Sequence, residues 1–193
     1  MKTLLRPVLA LLAFVLLAAP AAQAGETLLT PYAGITFGAN PSLVEDNKEH
    51  GVYGGSLAFL SDGGFGLEID FAYSPDFFGG SDTAVPDNNL TSLMANLMMS
   101  GHVGDNSRIY ASAGGGLLKS RVNDVNDFFD VDRNDFGANV GAGVILGFGE
   151  KVGVRGDIRY FRNVGDPEPD DEFDIDFGSF RFWRATGGLT IRF

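Results

Sequence analysis

The chain has 193 residues, with 14 basic and 25 acidic side chains and no cysteine. Its formal net charge of −11 argues against nucleic acid as a partner, because a nucleic-acid interface needs a basic surface. The lack of cysteine excludes disulfides, thiol catalysis and cysteine-based metal sites. Twenty-seven glycines and 17 phenylalanines favour many strands joined by tight turns.

The first residues have the pattern of a secretory leader. Lys2 and Arg6 are basic, Pro7–Ala19 is almost continuously apolar, and Ala22–Ala24 has small residues at the positions that a signal peptidase requires. The pattern predicts a signal peptide at residues 1–24 that is cleaved on secretion. The alternative is a single membrane-spanning helix, which the short apolar core and the complete cleavage pattern disfavour.

Residues 25–193 are predicted to form a single domain, since no second composition block appears. No apolar run in this part approaches the ~18 residues that a spanning helix needs. Removing the leader's two basic residues leaves 12 basic against 25 acidic residues, a net charge near −13.

Alternation of apolar and polar residues recurs eight times and predicts eight strands. They are Leu28–Gly38, Gly51–Ser61, Phe65–Ser74, Leu90–Val103, Arg108–Ser120, Phe136–Phe148, Val152–Asn163 and Phe180–Phe193. The alternation is clearest in the third strand, where Glu68 and Asp70 alternate with apolar side chains. It is weakest in the fifth, where consecutive glycines blur it.

The connections between these strands alternate in length. Three are short turns rich in Gly, Asp and Asn: Asp62–Gly64, Gly104–Ser107 and Gly149–Lys151. Four run for 12 to 15 residues: Ala39–His50, Pro75–Asn89, Arg121–Asp135 and Val164–Gly178. Strict alternation over an even number of strands predicts an antiparallel up-and-down barrel with both chain ends on the short-turn side.

Two features favour a membrane barrel. The predicted strands are long enough to cross hydrocarbon at a steep tilt. Aromatic residues lie towards strand ends, where a membrane interface requires them, with Tyr53, Tyr73, Tyr160 and Trp183 as the main candidates. The alternative is a soluble lipocalin-like barrel, in which the apolar residues would face inward and bind a ligand.

The final segment has a small residue, then Gly188, two variable positions, Ile191, any residue and the aromatic Phe193. This order resembles the C-terminal assembly signal of bacterial outer-membrane barrels. The whole of residues 25–193 is similar to the small eight-stranded barrels of the OmpA-type transmembrane domain and OmpX-like class. The resemblance implies location in the outer membrane, recognition by the barrel assembly machinery, contact with outer-membrane lipid and lipopolysaccharide, and a monomer. Because no domain follows the barrel, peptidoglycan binding is not implied.

With apolar side chains facing lipid, three acids and four arginines face the barrel interior. They are Glu68, Asp70, Arg155, Asp157, Arg159, Arg184 and Arg192. Buried charges are tolerated only when paired, so we expect an ion-pair network that plugs the lumen. The alternative is a narrow or gated ion path through the same network.

The four long connections contain 18 of the 25 acidic residues. They would repel anionic lipopolysaccharide unless divalent cations bridge the two. Weak candidate ligands for Ca²⁺ or Mg²⁺ are Asp130, Asp132, Asn134, Asp170, Asp171 and Asp174. The calcium-loop pattern is incomplete, because Asp135 replaces the expected glycine and Gly141 the expected glutamate. No other cofactor is expected, and the bland alternative is a solvated acidic surface.

The long connections also contain aromatic residues that could cap the barrel mouth or contact a partner. They are Phe77, Phe78, Phe128, Phe129, Phe173 and Phe177.

Enzyme activity of the kind found in lipid A deacylases or palmitoyltransferases would need a histidine beside a serine and an acid. The two histidines, His50 and His102, are predicted at opposite ends of the barrel, and Ser100 is two residues from His102. We therefore predict that the protein is not an enzyme. The favoured function is envelope structure or surface interaction with a host or surface ligand, the alternative is a small porin-like channel, and a lipid-modifying enzyme comes third.

Overall fold

The computed structural model describes residues 25–39, 49–75, 77, 88–104, 106–123, 130–164 and 181–193, excluding the side chains of 88, 121–123 and 130–134. The predicted leader at residues 1–24 lies outside these ranges. Eight strands are present: β1 Glu26–Phe37, β2 His50–Leu60, β3 Phe65–Pro75, β4 Asn88–Val103, β5 Ser107–Asn123, β6 Asp130–Gly147, β7 Val152–Asn163 and β8 Arg181–Arg192. Among the described residues, no helix is long and apolar enough to cross a membrane.

Each strand pairs antiparallel with its neighbour in sequence, and β8 pairs with β1 to close the barrel. The predicted fold class, an eight-stranded antiparallel up-and-down barrel, is confirmed. Each of the three short turns contains one glycine with a positive φ angle: Gly64, Gly104 and Gly149. We call the end with these turns the lower end, and the end with the long connections the upper end.

The predicted long loop Arg121–Asp135 is wrong in extent. Strand pairing continues from Val122↔Val131 to Asn123↔Asp130, so only residues 124–129 connect β5 and β6. Most residues of these strand tips are polar, so an alternation of apolar and polar residues is too weak there to reveal them. Backbone pairing between two strands of a hairpin persists there because it does not depend on an apolar face.

The apolar side chains point outward. In β3, Glu68 and Asp70 are each only 1% exposed, whereas Phe65 is 65% and Phe71 48% exposed. A soluble barrel would bury the aromatic set and expose the charged one. The orientation contradicts the lipocalin-like alternative and matches a barrel whose outer surface meets lipid.

Outward aromatic side chains lie near both ends of the barrel. At the upper end, Tyr53 pairs in register with Tyr73, and the rings of Tyr160 and Trp183 lie 5.1 Å apart. At the lower end Phe65, Phe148 and Phe193 are exposed. Phe65 and Tyr73 are eight positions apart on β3, or roughly 20 Å along the axis at a tilt of about 40°. The two rings of aromatic residues therefore bound an apolar band of membrane thickness.

The seam between the first and last strands is interrupted at Pro31. Pairing of β1 with β8 holds at Leu29↔Ile191 and again at Tyr32↔Gly188, but not between these pairs. Proline has no N–H to donate to a neighbouring strand. The buried hydroxyls of Thr30 and Thr190 instead hydrogen-bond across the seam at 2.9 Å.

We expect Thr190→Val to lower the stability of the barrel by about 1–3 kcal/mol, because it leaves the Thr30 hydroxyl buried without its partner. Urea unfolding of the protein in lipid vesicles measures the change. Thr91→Val is the matched control, since Thr91 lies on the outward, lipid-facing side of β4. Equal stability of native protein and Thr190→Val would mean that the hydroxyl bond does not hold the seam.

Candidate functional site

The lumen is filled in three layers. The upper apolar layer consists of Phe77, Leu90, Met94, Leu118, Phe161 and Phe182, and the lower apolar layer of Leu28, Ala58, Leu60, Met98, Tyr110 and Ile145. Between them lies the charged layer, formed by Glu68, Asp70, Arg155, Asp157, Arg159 and Arg184. The order is visible along β7, where the three charged residues precede Phe161 on the way to the upper end.

Glu68 is the centre of the charged layer. Its Oε2 lies 2.6 Å from Arg155 Nη2, and its Oε1 lies 2.6 Å from Arg159 Nη2. Asn96 Nδ2 also donates to Glu68 Oε1 at 3.0 Å, and Asn139 Nδ2 donates to Asn96 Oδ1 at 2.7 Å. The carboxylate on β3 is thus tied to β4, β6 and β7.

Asp157 holds the two arginines from the other side. Arg159 Nε lies 2.7 Å from Asp157 Oδ1, and Arg155 Nη2 lies 3.4 Å from Oδ2. The Tyr110 hydroxyl donates to Asp157 Oδ2 and accepts from Arg155 Nε at 2.6 Å. The Arg155 guanidinium also lies over the Tyr110 ring, 4.5 Å from its centroid.

Asp70 forms a second cluster beside the first. Arg184 Nη2 lies 2.7 Å from Asp70 Oδ1, and the Tyr32 hydroxyl donates to Oδ2 at 2.8 Å. Arg184 also lies 4.8 Å from the centroid of the Phe161 ring, which belongs to the upper apolar layer. Both buried acids of β3 therefore have cationic partners on distant strands.

Arg192 does not join the charged layer. Its Nε lies 3.2 Å from Glu26 Oε1, and its Nη2 donates to the Asn106 carbonyl at 3.2 Å. Glu26 also contacts Arg108 at 2.7 Å. Because β5 lies opposite β1 in a ring of eight strands, the Glu26–Arg108 pair spans the lower mouth of the barrel. Sequence patterns missed Glu26, which precedes the first predicted strand.

Sequence patterns also missed the two lumen tyrosines. Tyr32 and Tyr110 lie on the polar face, and both hydroxyls bind a carboxylate. An aromatic residue in a barrel strand suggests a lipid-facing position. Only the position of Tyr32 and Tyr110 on the polar face of their strands could have shown that they point into the lumen.

The charged layer encloses a small cavity. A cavity of about 10 Å³ lies between the two clusters, with walls that include Ser56, Thr186 and Gly188, and it is just large enough for one water molecule. The six charges of the layer balance at three of each sign. Chemically, the arrangement suits a rigid plug that cross-links strands on different sides of the barrel.

The histidines lie at opposite ends of the barrel. His50 is buried at the upper end, with its ring centroid 5.8 Å from that of Phe77. His102 is exposed near the lower turn after β4. The hydroxyl of Ser100 donates to the Gly64 carbonyl at 3.2 Å. The two histidines are therefore too far apart to act at one site.

The structure does not place the candidate cation ligands of residues 130–134 on a loop. Asp130, Asp132 and Asn134 lie on the extended backbone of β6, in register with β5, and not on a loop that could curl around an ion. Asp170, Asp171 and Asp174 lie outside the described residues. Within the described ranges, no group of three or more histidines or acids is placed to hold a metal ion.

One of the six connection phenylalanines can be placed. Phe77 is buried in the upper apolar layer, where its ring meets that of Phe182 edge-on at 5.3 Å. Phe78, Phe128, Phe129, Phe173 and Phe177 lie outside the described residues.

The three residues of the C-terminal pattern lie on the closing strand. Ile191 and Phe193 face outward, and Phe193 exchanges two backbone hydrogen bonds with Thr27, at 3.0 and 3.3 Å. Gly188 lies at the Pro31 seam, where an added Cβ would come within 2.4 Å of the Pro31 carbonyl oxygen. A glycine is therefore needed there for close approach of the two strands.

A family model described as the outer membrane protein beta-barrel domain matches residues 9–183. The chain belongs to this family. The resemblance to small outer-membrane barrels is confirmed, and family membership implies a location in the outer membrane. No curated protein sequence matches the chain.

Solved structures with the same fold are also small barrels. Neisserial surface protein A superposes with a TM-score of 0.64 at 14% identity, covering 87% of this chain and 97% of that one. The N-terminal barrel of Pseudomonas aeruginosa OprF gives 0.53 at 21% identity, covering 88% and 98%. Ail, the attachment invasion locus protein of Yersinia pestis, gives 0.55 at 15% identity, covering 89% and 100%, in a complex with the heparin analogue sucrose octasulfate. At these identities, the likeness shows the fold alone.

A double-mutant cycle tests the centre of the charged layer. Arg159→Met should cost about 3–5 kcal/mol, because the Glu68 and Asp157 carboxylates each lose a buried cation. Glu68→Gln together with Arg159→Met should cost less than the sum of the single changes, with a coupling of about 1–3 kcal/mol. Urea unfolding in lipid vesicles, followed by fluorescence, measures all three variants.

The control cycle combines Glu68→Gln with Arg108→Met, because Arg108 pairs with Glu26 at the lower mouth. Those two changes should add to within about 0.5 kcal/mol. Additive effects in both cycles would show that the Glu68–Arg159 contact contributes nothing specific.

Proposed function

We propose that this protein is a sealed, non-enzymatic outer-membrane barrel that contributes to envelope structure and presents its long upper connections to the exterior. The observation that carries the proposal is the filled lumen, with a charged layer enclosed between two apolar layers. A barrel built to conduct would keep a polar path through its interior. Here the charged layer encloses a cavity of about 10 Å³, which holds about one water molecule.

The apolar layers weigh against the porin-like alternative. An ion crossing the barrel would have to leave water twice, once at the Phe161–Phe182 stack and again at the lower apolar layer. Rearrangement of the ion pairs alone would leave both apolar layers closed. The Glu26–Arg108 pair across the lower mouth adds a further obstruction.

A non-enzymatic role is supported by the placement of the histidines. His50 packs against Phe77 in the upper part of the lumen, and His102 lies at the other end of the barrel. A general base needs a nucleophile within hydrogen-bond reach. The charged side chains at the centre of the lumen are paired with one another.

Surface interaction would be set by the acidity of the long connections. Because these segments contain many acids and few basic residues, we propose a cationic partner, or an anionic surface bridged by Ca²⁺ or Mg²⁺. The sulfated sugar bound by Ail is an anion, and acidic connections would repel such a ligand. We also propose that the protein acts as a monomer, since each of the eight described strands already pairs with a neighbour on both sides.

The native protein in planar lipid bilayers should show no conductance steps above the lipid background, because both apolar layers exclude hydrated ions. A known trimeric porin inserted under the same conditions is the positive control. Reproducible steps from the native protein that increase in Arg159→Ala would contradict the sealed barrel and support a channel through the charged layer.

We further propose that the barrel assembly machinery recognises Gly188, Ile191 and Phe193. Support comes from the outward exposure of Ile191 and Phe193 at the closing strand, where another protein could reach them. In vitro, the same side chains would contact only lipid.

Phe193→Ser should therefore reduce the folded yield in outer-membrane fractions several-fold while leaving refolding of purified protein into detergent nearly unchanged. The gel shift between boiled and unboiled samples measures folding in both cases. Phe148→Ser is the matched control, since Phe148 is 68% and Phe193 74% exposed at the same end. Equal loss of folded yield in both variants would mean that assembly needs aromatic side chains at the lower end of the barrel in general, and that Phe193 is not specifically recognised.

A further inference from the structure

The charged layer consists of two clusters with a cavity between them. The Asp70 cluster contains Tyr32, Asp70 and Arg184, and the Glu68 cluster contains Glu68, Tyr110, Arg155, Asp157 and Arg159. Among the described residues, no hydrogen bond or ion pair joins one cluster directly to the other. The wall of the cavity includes Asp70 from one cluster and Asp157 from the other.

The wall of this cavity is polar. Apart from Gly188, every residue of the wall carries a hydroxyl, carboxylate or guanidinium group. Cavities that stay dry are apolar, whereas a polar cavity with room for the centre of one water molecule binds water. The volume of about 10 Å³ is at the lower limit for a single molecule.

One donor in the wall has no acceptor on the protein. Arg159 is 1% exposed, and its Nε and Nη2 lie against carboxylates, but its Nη1 has no hydrogen-bond partner among the described residues. A buried donor without an acceptor is strongly unfavourable. Each oxygen of Asp70 accepts one hydrogen bond, from Arg184 or from Tyr32, and a carboxylate oxygen can accept a second.

We propose that the cavity binds one water molecule as a permanent part of the fold. The water accepts a hydrogen bond from Arg159 Nη1 and donates one to Asp70 and one to Asp157. This matches the roughly three hydrogen bonds that a buried water makes. The water thereby links the Asp70 cluster to the Glu68 cluster, and strand β3 to strand β7.

A bare ion fits this site less well than water. The six charges of the layer balance at three of each sign, so a buried ion would leave one charge without compensation. A cation would lie beside Arg155 and Arg159, and an anion beside Asp70 and Asp157. A neutral molecule that both donates and accepts hydrogen bonds avoids these conflicts.

The water can be counted in solution. Oxygen-17 relaxation dispersion of the native barrel in detergent micelles detects water molecules that stay bound for longer than the protein takes to tumble. Thr186 belongs to the wall, so Thr186→Ile fills the cavity with carbon, whereas the matched control Thr186→Ser keeps the hydroxyl and adds no volume. We expect Thr186→Ile to lose the contribution of about one water and Thr186→Ser to keep it. The boiled and unboiled gel shift establishes that each variant is folded.

A double-mutant cycle tests the link between the clusters. Tyr32→Phe removes a donor to Asp70, and Tyr110→Phe removes a donor to Asp157. Together they should change the equilibrium constant of urea unfolding by a factor that differs about threefold or more from the product of the single factors. In the Thr186→Ile background, the two factors should simply multiply.

Several outcomes would overturn the proposal. Native protein without a long-lived water would contradict it, even if every variant failed to fold. An unchanged dispersion in Thr186→Ile would place the long-lived water elsewhere, and an equal loss in Thr186→Ser would show that filling the cavity is not the cause. Factors that multiply in the native background would remove the link between the clusters. Conductance in planar bilayers tests the seal separately, because a water held by hydrogen bonds does not need a closed lumen.

Discussion

The structure depends on the pairing of Glu68 with two arginines inside the barrel. A buried carboxylate without a cation costs several kcal/mol, so the fold is viable only when β3 and β7 are placed to bring these side chains together. A slip of one residue in either strand would turn its charges into lipid and its apolar residues into the lumen. The ion pairs thus specify the strand register as well as filling the interior.

The apolar layers above and below have a complementary effect. By keeping water away from the centre they lower the local dielectric, which strengthens every ion pair and hydrogen bond between them. Tyr110 shows how closely the two kinds of layer are joined, because its ring belongs to the lower apolar layer while its hydroxyl binds Asp157. Arg184 joins the charged layer to the upper apolar layer, because its guanidinium group lies over the ring of Phe161.

Alternation in the sequence predicted the strands, the closure and the outward face, because a membrane barrel separates polar from apolar residues strand by strand. It also assigned Glu68, Asp70 and Arg159 to the polar face, but it missed Glu26 and Arg108 at the lower mouth. It could not predict the layers, since Met94, Met98 and Phe182 are apolar residues on the polar face and alternation treats them as exceptions. Individual partners were equally hidden: Arg192 pairs with Glu26 because of its height in the barrel, which depends on the tilt of strands and not on spacing.

The burial of Phe77 bears on how this protein can vary. A segment that contributes nothing to the lumen can change in length and sequence without disturbing the strands below it. Phe77 belongs to the connection between β3 and β4, yet it fills the upper apolar layer beside Phe182. Exchange of that connection for a foreign peptide would open the top of the barrel unless the phenylalanine were kept. As a scaffold for displaying inserted sequences, the barrel therefore has at least one position near its rim, Phe77, that must be treated as part of the core.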